Sequence, residues 1–147
     1  MAKGLRAGIN CVLAYNTGTY LIPVWTVVAA VKDAKLNLTK SVGDASSRIS
    51  SWKMVLPILK EISIEYEILA DTSLAAYDAL KLDYVNDTVV DLAVADGAIA
   101  TTGTEYFRLD TVVTEFTIGQ PLEGADTVTV KHQPVYSTNV PAFTTAA

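Results

Sequence analysis

His132 is the only histidine and Cys11 the only cysteine in the 147 residues, so nucleophilic chemistry would have to be built on that pair. A thiol and an imidazole can serve as nucleophile and base when a sharp, glycine-flanked turn presents the nucleophile. Neither residue has such a turn. His132 continues the alternation of Val128 and Val130 in "TVTVKH", which reads as a structural residue at a strand end. Cys11 lies in the apolar run "INCVLAY" and reads as a small buried hydrophobe. Asp83, Asp87, Asp91 and Asp96 invite a metal reading. A calcium loop needs acids at alternate positions and a glycine at its bend, and these spacings instead fit a helix end and its exit, a strand, and an Asp96–Gly97 turn. "NTGTY" and "TTGTEY" lack the lysine and the spacing of a phosphate-cradling loop. Glu65 and Glu67 share the polar face of a strand, where nothing separates their pKa values into acid and base. No catalytic residue, cofactor or metal is expected, and a small hydrolase is the least supported class.

The elements around these residues are mostly strands. Thr and Val each occur seventeen times, and both favour sheet. In "AKLNLTK", Leu36 and Leu38 share one face and Lys35, Asn37 and Thr39 the other. In "EISIEYEIL", Ile62, Ile64, Tyr66 and Ile68 oppose Ser63, Glu65 and Glu67. "DTVTVKH" sets Val128 and Val130 against Thr127, Thr129 and Lys131, and "TVVTEFTIG" sets Val112, Phe116 and Ile118 against Val113, Glu115 and Thr117. Such alternation means sheet with one face in a core. "INCVLAY", a short piece around Trp25, and "TVVDLAVA" complete the set of expected strands. One helix is expected after a cap at Asp71 or Thr72, with Leu74, Tyr77, Leu80 and Tyr84 on its inner stripe. The fold class is therefore mainly β, a small barrel or sandwich with one flanking α-helix. Residues 1–133 read as a single domain, and 134–147, with Pro134 and Pro141 and no periodicity, as an extended C-terminal arm.

Composition bounds the function. No apolar run approaches the roughly 20 residues of a spanning helix, and "LIPVWTVVAAV" carries Pro23, so no membrane insertion is expected. Near the N-terminus, Lys3 and Arg6 precede "INCVLAY", which Asn10 breaks and which lacks a small-residue cleavage site, so no secretory signal is expected. Charged residues are 18% of the chain, against about 25% in an average soluble domain, and the mean hydropathy is +0.31. Apolar, under-charged surface points to burial against partners. Residues 1–60 hold eight Lys/Arg and two acids, a net of +6, while residues 61–147 hold three bases and fourteen acids, a net of −11. The bases form no run, which argues for matching between subunits rather than a nucleic-acid arm.

The chain order of apolar β segment, "VKDAKLNLTK", polar loop, "WKMVLPILKEISIEYEI", one helix and "GQPLEGADTVTVKHQP" resembles the major tail tube proteins of long-tailed bacteriophages over about residues 25–133. Its most specific elements are Trp52, Pro57, Lys60, Ile64 and Tyr66 in one run and "PLEGADTVTV" near the end. The resemblance implies a virion structural protein located in the tail and assembled in the bacterial host cytoplasm. It implies hexameric rings stacked into a tube through which double-stranded DNA passes without specific binding. The partners it implies are further copies of the chain and other tail proteins at the tube ends. It makes residues 41–55 an inter-ring stacking loop, with Lys40, Asp44, Arg48 and Trp52 as contacts, and makes Glu65, Glu67, Glu115, Thr127 and Thr129 candidates for the lumen wall. Trp52 can equally be an interface anchor or a core residue at a strand start. Lys35 and Lys131 run against a purely acidic lining.

Two other classes share the β composition. A tail terminator or head–tail joining protein would form a single ring. A monomeric β-sandwich binding module would need an exposed aromatic cluster, and Trp25 and Trp52 lie far apart in the chain.

Overall fold

The computed structural model describes residues 7–8, 11–28 and 31–146. Eight strands and one helix follow in the order β1 (Val12–Asn16), β2 (Trp25–Val27), β3 (Val31–Asp44), β4 (Val55–Leu69), α1 (Ala75–Asn86), β5 (Val90–Ala95), β6 (Glu105–Gly119), β7 (Thr127–Pro134) and β8 (Ala142–Thr145). The mainly-β fold with one helix is as expected from the alternation. Lys3, Arg6, Ile9 and Asn10 lie outside the described residues.

All the strands belong to one antiparallel sheet with the order β2-β1-β5-β6-β7-β4-β3, and β8 adds beside β6. β6 is the strand on which the sheet turns. From Tyr106 to Thr111 it pairs with β5, and from Thr111 to Gly119 with β7. Leu13, Leu92 and Leu109 from the first half of the sheet join Ile64, Ile68, Val128 and Val130 from the second in one core. The sheet is thus folded on itself around that core but not closed, since its end strands β2 and β3 do not pair with each other. Four strands, β3-β4-β7-β6, make the second half.

Three local details differ from the sequence expectation. The helix begins at Ala75, not after Asp71 or Thr72, because the Asp71 carboxylate is used up in a turn: its Oδ1 accepts the Ser73 N–H at 2.9 Å and the Ser73 hydroxyl at 2.6 Å. Leu74 takes the N-cap position with no side-chain hydrogen bond. The buried stripe is Ala76, Tyr77 and Leu80, with Tyr84 left 45% exposed. On β6 a register shift between Val113 and Glu115 inserts Thr114 and turns the alternation over, so Val113, not Val112, shares the core side with Phe116. Cys11 is exposed because it precedes the first residue of β1.

Residues 142–145, within the segment expected as an arm, form β8 and set Phe143 edge-to-face against Phe107 with ring centroids 4.7 Å apart. The residues before β8 are fixed by Asp110, whose Oδ2 accepts the Ser137 hydroxyl at 2.5 Å and the Asn139 amide at 2.9 Å.

Candidate assembly surface

The polar residues first considered for chemistry are used structurally. His132 is fully buried, its Nε2 2.8 Å from the Tyr66 hydroxyl and its Nδ1 3.1 Å from Thr111 Oγ1. Thr111 donates its single hydroxyl proton to the Val90 carbonyl at 2.9 Å, so it must accept from His132. That fixes the tautomer: Nδ1–H donates to Thr111 and the bare Nε2 accepts from Tyr66. Burial pulls the His132 pKa down to about 4. Burial, and then the charge of Asp83, push the Tyr66 hydroxyl above its ordinary range, and burial raises the Asp83 carboxyl. Asp91 and Arg108 form a nearly buried pair, with Nη2 to Oδ2 at 2.5 Å and Nε to Oδ1 at 3.0 Å. Burial alone would lower the Arg108 pKa, but the hydrogen bonds and charge of Asp91 win and raise it. Arg108 also donates to the Tyr20 carbonyl at 2.8 Å and lies 3.8 Å from that ring, pinning residues 17–24 over β5 and β6. Asp87 is the helix C-cap in the left-handed region, and Asp96 precedes Gly97 in a bend. Among the described residues no cluster of His, Cys, Asp or Glu could hold a metal ion.

What remains is surface, and one element dominates it. The expected loop over residues 41–55 is shortened at both ends by strand: β3 runs on to Asp44, β4 starts at Val55, and the connection is residues 45–54. The two strands pair from Val31↔Ile68 to Asp44↔Val55. β7 covers β4 only from Ile64 to Leu69, so Val55–Ser63 projects beyond the body of the sheet by roughly 30 Å at 3.3 Å per residue. Lys40 therefore lies within β3, opposite Lys60, and not in a loop. Asp44 closes the ladder, and the Ser46 backbone N–H and then the Ser46 side chain hold its pKa below the ordinary value. Arg48 and Trp52 sit in the exposed tip, Trp52 at 78% exposure, which removes its core alternative.

The outer part of the projecting hairpin is apolar on both faces. Between Lys40 and Val42 two steps of β3 match three of β4, so β4 carries an extra residue and its alternation turns over. Beyond that point Val42 faces Pro57 on one side, and Gly43 faces Leu56 on the other, with a Cβ on Gly43 falling 3.3 Å from Ile58. Leu38, Val42, Ile49, Val55, Leu56, Ile58 and Leu59 are all about half exposed or more. A row of apolar side chains this long and open has the character of an interaction surface. The signal was visible in "VLPILK", whose apolar residues do not alternate.

The second half of the sheet has the opposite character on the side away from the core. Glu65, Glu67, Glu115, Thr127 and Thr129 all lie on this one side, alternating with the core residues Ile64, Tyr66, Ile68, Val128 and Val130. Lys35 pairs with Glu65, Glu65 with Lys131, and Lys131 with Glu115. The two lysines are thus interleaved with glutamates in a single row across four strands, and Lys131 Nζ is 3.6 Å from Glu65. Asn37, Thr39, Glu61, Ser63 and Thr117 fill the same side, with Leu69 opposite Thr127 and Val112 opposite Gln133 as apolar exceptions at its ends. Among the described residues both edges of this four-stranded unit are open: β3 has no strand beyond it, and β6 past Thr111 has only β7.

No family model and no curated protein matches the sequence. Solved structures do match over nearly the whole chain. The SPP1 tail tube protein superposes with a TM-score of 0.78 at 10% identity, over 96% of this chain and 80% of that one. This is a tail-tube fold. A tail protein of an empty gene transfer agent particle, solved with C6 symmetry, gives 0.76 at 11% identity over 95% of this chain and 99% of its own. The sheath/tube terminator of an extracellular contractile injection system gives 0.67 at 6% identity, over 98% and 99%. Within the tail-tube fold the long β3–β4 hairpin and the four-stranded polar face are the two features that a lone subunit leaves unused.

Proposed function

We propose that this chain is the subunit of a phage tail tube, a non-enzymatic structural protein of the virion tail. Copies join edge to edge through β3 and β6 into a six-membered ring, and rings stack into a conduit for double-stranded DNA. The single observation that carries this reading is the four-stranded unit β3-β4-β7-β6, polar along one side and open at both edges. An even number of antiparallel strands lets the β3 edge of one copy meet the β6 edge of the next in antiparallel register, and closure removes the exposed-edge hazard. The mostly polar side then becomes the lumen wall, with two lysines against four glutamates. The hairpin, with Arg48, Trp52 and Ile49 at its tip, reaches the adjacent ring, and Trp52 is its apolar anchor. The tail-tube fold of the structural neighbours supports the same reading.

Negative-stain microscopy of the concentrated, purified chain tests it. Hollow tubes of repeating rings are expected. A chain that stays monomeric at high concentration overturns the proposal. Because a tube terminator shares the fold, isolated rings that never elongate would favour that second role.

A further inference from the structure

α1 carries an outward stripe that its own chain leaves uncovered. Asp78, Leu82 and Val85 recur at helical spacing opposite the buried Ala76, Tyr77 and Leu80, and Leu82, Val85 and, just past the helix, Val89 are more than half exposed. The last turn contains no basic residue, and Asp87 adds a carboxylate to the end of the helix that is already negative.

The base of the hairpin presents the reverse. Leu38 and Val42 are exposed on the core side of β3, and Lys40 between them directly faces Lys60 across the ladder. Like charges opposite one another on paired strands repel. Neither lysine has an ion pair among the described residues.

The two surfaces also lie at neighbouring levels along the strands. The chain leaves β4 at Leu69, runs through α1 and enters β5 at Val90, opposite Thr111. Two residues on, Val113 belongs to the row Val113–His132–Ile64–Leu36. The C-terminal end of α1 therefore emerges at the level of Leu36, next to that of Leu38 and Lys40. α1 packs on β6 through Tyr77 and Phe116, ring centroids 5.9 Å apart, and β6 owns the open edge that would receive a β3.

From this we infer that α1 bridges the seam between neighbouring copies in one ring, an inference that rests on the tube reading above. Leu82, Val85 and Val89 of one copy cover Leu38 and Val42 of the next, whose Lys40 and Lys60 are neutralised by Asp87 and the C-terminal end of the helix. The occupant of the uncovered helix face is a second copy of this chain, chosen by matched apolar area and opposite charge.

The test is a Lys40→Cys, Val85→Cys double variant in a Cys11→Ser background, assembled, treated with a short bis-maleimide and run on a denaturing gel. A ladder reaching six chains is expected, with no ladder from either single-cysteine variant. Assemblies that form but give no ladder overturn the bridge and leave the tube reading intact. If the unsubstituted chain does not assemble at all, both fail. As a second measure, Leu82→Asp with Val85→Asp should keep the circular dichroism of the subunit and raise the concentration needed for assembly about tenfold or more. An unchanged threshold overturns the inference.

Discussion

His132 shows how a residue with catalytic credentials can be wholly structural. Its Nε2 accepts from Tyr66 and its Nδ1–H donates onward to Thr111, so a second proton would reverse the Tyr66 bond, displace the Tyr66 hydroxyl proton and place a charge inside the core. The folded-state pKa of about 4 lies below the ordinary 6.5. The folded protein therefore binds fewer protons than the unfolded chain between those two values. The stability that the neutral ring contributes is full above pH 6.5 and is lost as pH falls towards 4, at about 1.4 kcal/mol per pH unit. Urea midpoints measured from pH 7 to pH 4.5 should fall more steeply for the native sequence than for His132→Gln; equal slopes would assign the acid sensitivity to other groups. Asp91 makes a second residue-scale case. Its side chain and that of Arg108 are only 11% and 13% exposed, so Asp91→Ala strands a buried cation and should cost about 3 kcal/mol in chemical denaturation. A loss below 1 kcal/mol would mean that the Tyr20 carbonyl and ring are sufficient partners. Neither pairing was legible in the sequence, because the partners lie 66 and 17 residues apart and no local period connects them.

At the scale of elements, legibility followed one-sided burial. Ile62 to Ile68 and Val128 to Val130 alternate against polar neighbours because one face of their strands meets the core, and both were read as strands with the correct face inward. The pattern failed wherever that condition failed. Val55–Lys60 is exposed on both faces and does not alternate, so it carries no strand period, and the end of β3 beyond Lys40 falls within the expected loop 41–55 for the same reason. On β6 one inserted residue exchanged Val112 and Val113. β8 is four residues long and directly follows Pro141, with no face buried, and carries no period to detect. Of the candidate stacking residues, Lys40 and Asp44 lie on β3, and Arg48 and Trp52 lie in the connection 45–54. A shortened variant, with residues 45–54 replaced by an Asn-Gly turn, tests what the tip is for. Its melting temperature as a subunit should change little, since nothing in the core is lost, and rings should form without growing into tubes. Unfolding would make the tip part of the subunit's own stability, and normal tubes would remove it from stacking.

For the whole molecule the decisive property is the polarity of the side that six copies would turn inward. A passage for DNA must not hold it, and each phosphate neutralised by Lys or Arg adds salt-sensitive affinity. The row Lys35–Glu65–Lys131–Glu115 shows how two lysines are tolerated there: each lies beside a glutamate on a neighbouring strand. Their neighbours Glu61 and Glu67 leave that side of the sheet with an acidic excess, which repels a phosphate backbone. Exposed pairs of this kind contribute at most about 1 kcal/mol each to folding, so the charges can be changed without unfolding the subunit. Tubes of the native sequence should therefore not carry a fluorescent duplex into the pellet on sedimentation at any ionic strength. Tubes of a Glu65→Lys, Glu67→Lys, Glu115→Lys variant should bind it at low salt and release it steeply between about 50 and 200 mM. If the variant assembles but still leaves the duplex in solution, the polar side of β3-β4-β7-β6 does not face the passage, and the apolar side of the sheet would have to be placed against it instead.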